Sequence, residues 1–201
     1  MGKILCYIYE EKADFEISLL LHRLKNAGAR EIISISETTA PVTAQSGLTY
    51  IPDRAIEDIV WAEASASSED RVSLADVEAL IIPGGPINNE QNGICPLART
   101  VAEQGKLLAA ICFAPQFLGR AGILDSYQYT TSCSEAKIAQ LGCADPFNRE
   151  NYLFQRTVVD RNVITAQGYA FVDFALEVCR YLKIFTSPEQ EYDQLVKIKA
   201  E

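Results

Sequence analysis

Cys112 is the residue whose position offers the most chemistry. It stands directly after the apolar run Leu107–Ile111, which reads as a buried strand, and directly before a helical pattern over Phe113–Ala121. A nucleophile between a strand end and a helix start sits on a tight elbow, its side chain projecting from the sheet edge. The first helical N–H groups then point at the sulfur. They favour negative charge and lower a thiol pKa, and the same amides can hold an oxyanion. Ala114 is small enough for the tight turn, and Pro115 suits a first helical turn, where no N–H is needed. Free cysteine is also among the most buried residue types. The elbow alone therefore leaves a reactive thiol and a core thiol both open.

Two other stretches carry polar chemistry toward the same end of a sheet. Glu16 lies at the edge of the stripe Ile17, Leu20, Leu21 and Leu24, near the first turn of a helix over Ala13–Ala27. From there a carboxylate can point at the C-terminal ends of the strands; the alternative is a solvated carboxylate favouring the helix dipole. Pro83-Gly84-Gly85-Pro86 follows a strand over Val77–Ile82. Glycines there can expose backbone amides, and in an open α/β sheet ligands bind at those strand ends; a plain glycine turn is the other reading. The only histidine, His22, falls about 240° round the wheel from Glu16 and faces solvent.

The elements that must position these groups alternate strand and helix. Lys3–Tyr9 reads as a central parallel strand, followed by the Glu16 helix closed by Gly28 in a left-handed cap, and then by a strand over Glu31–Ser36. This is a βαβ unit, right-handed by rule, and it lacks Gly-x-Gly-x-x-Gly, so a dinucleotide site is not indicated. A hairpin is expected over Pro41–Ile51 and a short helix from Pro52 to Val60, with a surface loop over 61–75 and a polar loop carrying Asn88, Asn89 and Asn92. A helix over Pro96–Gln104 closes at Gly105. Beyond the elbow come a strand over Tyr127–Cys133, a helix capped by Ser134, a β-pair over Gln155–Val159 and Val163–Thr165, and a helix over Gly168–Leu182. Ser187-Pro-Glu-Gln190 is a capping box that opens a final helix. The chain is read as one domain over 1–201, with 184–201 as a helical extension.

Composition excludes several classes. With 18 basic and 27 acidic residues the net charge is −9, which disfavours nucleic acid in the absence of a basic patch. No apolar stretch reaches the length of a membrane span, and the start has neither a signal-peptide layout nor a myristoylation signal, so a cytoplasmic location is expected. The six cysteines, at 6, 95, 112, 133, 143 and 179, form no Cys-x-x-Cys, and with one histidine a zinc site is not expected. No metal or organic cofactor is indicated, and in a reducing cytosol most of these thiols should be free.

Glu16, Pro83-Gly84-Gly85, Ala110-Ile111-Cys112-Phe113-Ala114-Pro115, Tyr129-Thr130-Thr131 and Asp160-Arg-Asn-Val-Ile-Thr165 together resemble the ThiJ/PfpI superfamily, the DJ-one group in particular, over nearly the whole chain. The resemblance implies an α/β, flavodoxin-like three-layer sandwich with a mostly parallel central sheet, usually a homodimer. It implies Cys112 as nucleophile or oxidation site, and Glu16 as its protonated partner or general acid/base. It further implies the amides of Gly85 and Phe113 as the oxyanion pocket, with Gly84, Thr131, Ser132 and Cys133 nearby. A carboxyl beside a thiolate should have a raised pKa, because two adjacent anions are costly.

The departures from the family pattern narrow the chemistry. Peptidase-type members carry His after the Cys, where this chain has Phe113. Glutamine amidotransferases need a later His-x-Glu pair, which is absent. Many glyoxalase or deglycase members carry His after Thr-Thr, where this chain has Ser132. Proton transfer would then fall on Glu16, through Ser132 or water. The expected function is a cysteine enzyme acting on a small electrophile, a glyoxalase III-like or deglycase-like conversion of a 2-oxoaldehyde through a Cys112 hemithioacetal. The alternatives are an isocyanide hydratase-like enzyme, a redox sensor or protective protein oxidised at Cys112, and a degenerate site with an unreactive thiol. Cys133 is read either as a thiol that resolves a Cys112 sulfenic acid or as a simple buried residue.

Overall fold

The computed structural model describes residues 2–60, 71–87 and 93–199. The chain runs β1 (Lys3–Tyr7), α1 (Phe15–Asn26), β2 (Glu31–Ser36), β3 (Val42–Thr43), β4 (Thr49–Tyr50), β5 (Arg54–Ala55), β6 (Ile59–Val60), β7 (Val72–Ser73), β8 (Val77–Ile82), α2 (Ile94–Glu103), β9 (Leu107–Ile111), α3 (Pro115–Arg120), α4 (Glu135–Leu141), β10 (Thr157–Asp160), β11 (Val163–Ala166), α5 (Phe171–Tyr181) and α6 (Pro188–Lys199). Seven strands form the central sheet in the order β10-β11-β9-β8-β1-β2-β5. All of its pairings are parallel except β10 with β11.

Alternation along the strands divides the core in two. On β1, Ile4 and Cys6 face α1 and α5, while Leu5 and Tyr7 face α2 and α3. The first face packs Leu20 and Leu24 of α1 with Phe174 and Val178 of α5, all fully buried. The second packs Leu97 and Val101 of α2 and Phe117 of α3 against Leu80, Ile82, Leu108 and Ala110. Each of the leucine, isoleucine, valine and phenylalanine side chains contributes about 1.5–3 kcal/mol by leaving water. The result is the expected three-layer, mostly parallel sandwich. Its switch point lies between β1 and β8, where the chain builds outward in opposite directions; the crevice at the carboxyl ends of such strands is where ligands bind in open α/β sheets.

Several local expectations are corrected. Between Pro52 and Val60 there is no helix: β5 pairs with β2, a single 3-10 turn spans Ile56–Asp58, and β6 pairs with β7. The Asp58 carboxylate accepts from the Ala55 amide at 2.9 Å, which tightens the turn. The surface loop over 61–75 is a strand and a 3-10 turn in its described part, 71–75; residues 61–70, like Asn88, Asn89 and Asn92, lie outside the described residues. Tyr127–Cys133 makes only one bridge, Tyr129 to Tyr152, because side chains take some of its other amides: the Gln128 amide donates to Asp160 Oδ2 and the Thr130 amide to Thr165 Oγ1, both at 2.9 Å. The left-handed residue after α1 is Ala29 (φ 51°), not Gly28. Gly28 is glycine for space, since a Cβ there would lie 2.7 Å from Ile184 Cδ1.

Three other local elements fall where the sequence puts them. The hairpin is β3–β4, Ser134 caps α4 by accepting from the Lys137 amide, and β10–β11 is the antiparallel pair. Ser187 Oγ accepts from the Gln190 amide, but Gln190 Oε1 reaches the Thr186 amide, one residue before the cap. Among the described residues no helix is long and apolar enough to cross a membrane, and no group of three or more His, Cys, Asp or Glu could hold a metal ion.

Candidate active site

Cys112 follows the last residue of β9, and its backbone takes φ 64°. A non-glycine residue in this left-handed region costs about 1–2 kcal/mol, so the surroundings must hold it. They do so from both sides. The Cys112 amide donates to the Ala166 carbonyl at 2.8 Å, and its carbonyl accepts from Thr131 Oγ1 at 2.6 Å and from the Ser132 amide at 3.0 Å. Thr131 and Ser132 thus fix the elbow through the cysteine backbone.

Glu16 enters from the first turn of α1 and is only 2% exposed. The Gly84 amide donates to Glu16 Oε2 at 2.7 Å, and Glu16 is hydrogen-bonded to the Cys112 sulfur. Two glycines make this approach possible. A Cβ on Gly84 would fall 2.5 Å from Cys112 Cβ and 2.6 Å from Glu16 Oε2. A Cβ on Gly168 would lie 3.0 Å from both Cys112 Sγ and Glu16 Oε1. The sulfur and the carboxyl therefore occupy a slot walled by two pieces of bare backbone.

The sulfur also receives hydrogen bonds from the Phe113 amide and the Ser132 hydroxyl. Both favour the thiolate, as expected for an elbow. Burial and the Glu16 carboxylate outweigh them and push the thiol up to about 12, which corrects the expectation that the helix start alone lowers it. Burial in turn raises Glu16 to about 7. The two groups compete for one anionic charge: ionised Glu16 holds the thiol protonated, and a proton on Glu16 frees Phe113 and Ser132 to favour the thiolate.

Of the expected site residues, the structure gathers Glu16, Gly84, Phe113, Thr131 and Ser132 around Cys112, Thr131 through the cysteine carbonyl. Gly85 lies one residue beyond the Glu16 contact, and a Cβ there would run into the Tyr9 ring at 2.7 Å. Cys133 is fully buried in the core on the α2–α3 face, where its charged neighbours include Arg149 and Asp145. His22 is exposed, beside Asn26. Two residues escaped the sequence reading. Gly168 does open the helical segment that leads into α5, but it also stands two residues past the end of β11, as Gly84 stands two past the end of β8, and that shared position was the signal for its place at the site. Tyr9, whose hydroxyl donates to the Pro83 carbonyl at 2.9 Å, supports the glycine turn from beneath.

A family model described as the DJ-1/PfpI family matches residues 2–181. The chain belongs to the DJ-1/PfpI family. An uncharacterized protease of Bacillus subtilis is 25% identical over 91% of this chain and 84% of its own length. A deglycase of Thermococcus kodakarensis is 28% identical over 65% of this chain and 72% of its own length. A solved DJ-1 superfamily protein from Agrobacterium tumefaciens superposes over the whole of both chains with a TM-score of 0.79 at 26% identity. As a DJ-1/PfpI member the chain shares its fold with these proteins, and the fold carries names from more than one activity.

Proposed function

We propose that this DJ-1/PfpI protein is a thiol enzyme that converts a 2-oxoaldehyde to a 2-hydroxy acid, with methylglyoxal to lactate as the simplest case. The observation that carries the reading is the buried Glu16–Cys112 pair, in which a carboxyl raised to about 7 touches the nucleophilic sulfur. Such a group is poised to give and take protons at neutral pH. The deglycase name among the relatives agrees with a small carbonyl substrate.

The Cys112 sulfur adds to the aldehyde carbon, and its proton passes to the carbonyl oxygen through Glu16, giving a hemithioacetal. The amides of Phe113 and Gly85 receive that oxygen while it is charged. The Glu16 carboxylate then takes the C–H proton of the former aldehyde carbon, and an enediolate forms with its charge on the neighbouring oxygen. The proton on the first oxygen passes to that second oxygen, and Glu16 returns the proton it took to the neighbouring carbon, which leaves a 2-hydroxy thioester. The first carbon is oxidised and the second reduced, so no outside oxidant is needed. Water cleaves the resulting thioester and releases the 2-hydroxy acid and the free thiol. With no histidine at the sulfur, peptide hydrolysis is disfavoured.

Lactate formation from methylglyoxal by the wild type, with Cys112→Ser and Glu16→Gln as controls, tests the reading. Turnover lost in both variants supports it. Lactate no higher than in Cys112→Ser overturns it. Mass gain at Cys112 under peroxide would then favour the redox-sensor alternative, which needs the thiol but no turnover.

A further inference from the structure

Lys12 stands in the segment between β1 and α1, lines a cavity that Cys112 does not line, and is 1% exposed. A lysine almost never sits at this depth without a partner. Among the described residues, though, its ammonium makes no hydrogen bond and no ion pair. Its Nζ lies over the face of Tyr50, 3.5 Å from the ring centroid. The nearby carboxylate, Asp14, is committed elsewhere: Asp14 Oδ2 accepts from Ser46 Oγ at 2.5 Å and from Tyr50 OH at 2.9 Å.

The lysine lines a cavity of about 130 Å3 between α1, β1, β2 and the β3–β4 hairpin. At roughly 30 Å3 per water-sized unit, this admits about four or five non-hydrogen atoms. The walls are mainly apolar, with Ile8, Ile17, Leu21 and Ile32 among them, and Ile51, 73% exposed, stands at the rim. Burial shifts Lys12 toward its neutral form, and the Asp14 carboxylate opposes that shift. A desolvated amine facing an apolar hollow is the arrangement by which proteins make lysine a nucleophile toward carbonyl carbon.

We infer that the Lys12 cavity is a second reactive site, which takes short uncharged aldehydes or ketones and binds them as an imine on Nζ. The amine nitrogen adds to the carbonyl carbon. The carbinolamine then loses its hydroxyl as water, leaving a C=N bond in place of C=O, with no change in oxidation state. The Asp14 carboxylate at the wall and the apolar lining select against 2-oxo acids of the same size. This site does not depend on Cys112.

The test is reductive trapping. The full chain is incubated at neutral pH with butanal and cyanoborohydride, and the adducts are located by peptide mass mapping. The expected result is a butyl adduct on Lys12 formed several-fold faster than on any other lysine, with the chain's α-amine as the internal reference. The rate should be unchanged in Cys112→Ser, and glyoxylate should give no preference for Lys12. Lys12→Met, which keeps the length of the side chain, should lose the fast phase alone. Labelling of Lys12 no faster than of the exposed lysines overturns the inference, and shows that this amine only packs on Tyr50.

Discussion

Ser132 Oγ accepts the Gly168 amide at 2.8 Å, which turns the hydroxyl proton toward the Cys112 sulfur. A single hydroxyl thus joins the segment after α3 to the segment after β11 and favours the thiolate between them. Ser132→Ala removes that donor and leaves the Gly168 amide without its acceptor. The thiol should titrate higher, and alkylation of Cys112 by iodoacetamide should slow at every pH below the new midpoint. A pH profile of the alkylation rate decides it, and an unchanged profile would show that the serine only ties two loops together.

Glu16→Gln should act in the opposite direction on the thiol. The carboxylate raises Cys112 by charge and by hydrogen bonding. A neutral amide removes the repulsion, so the thiol should titrate lower and alkylate faster near neutral pH. Turnover of a 2-oxoaldehyde should nevertheless vanish, because the proton carrier is gone. A faster thiol with no catalysis would separate nucleophile activation from proton transfer.

The same carboxyl ties stability to pH. Glu16 is raised from 4.5 to about 7 in the folded chain, so the folded state keeps this proton where the unfolded state has lost it. The stabilisation is complete below pH 4.5, declines as pH rises, and is gone above about 7. Its size is up to about 3 kcal/mol over that window. Urea unfolding of the wild type minus that of Glu16→Gln should fall across this range. A flat difference would mean that Glu16 is ionised in the folded protein throughout.

Gly168→Ala places a methyl 3.0 Å from both the sulfur and Glu16 Oε1. Overpacking of this kind costs about 1–3 kcal/mol, and here the atoms forced apart are the two that must exchange a proton. Activity should be lost with a modest fall in melting temperature. Full activity with an unchanged melting temperature would show that the slot has room to spare.

Cys112→Ala and Cys112→Gly both abolish the thiol but treat the backbone differently. Alanine keeps the cost of φ 64° and glycine relieves it, so the glycine variant should be the more stable of the two by about 1 kcal/mol. Equal stability would mean that the elbow holds no strain.

The elements that hold the site were legible where a hydrophobic period met a punctuating residue. The buried run Leu107–Ile111 ended at a nucleophile, and the stripe of α1 left Glu16 at its edge. What stayed hidden rests on contacts between distant segments. Nothing local announces that the Thr130 amide bonds the Thr165 side chain rather than the backbone of a neighbouring strand, so Tyr127–Cys133 looks like a strand and is not one. The Pro52–Val60 stretch has the composition of a short helix, yet its backbone is claimed by β2 and β7. The pKa of Cys112 could not be read from the elbow, because the helix start is one contribution among several and the larger ones, burial and Glu16, come from elsewhere.

The slot around Cys112 draws on five separated stretches, and its last wall, Gly168, is more than fifty positions beyond the sulfur. During synthesis the thiol therefore leaves the ribosome well before the groups that restrain it. A chain arrested short of α5 carries the cysteine without its chemistry and without its shield. Reactivity at this sulfur is thus a property of the finished fold, and a slow-reacting, protected thiol in a population of molecules reports that assembly has run to completion.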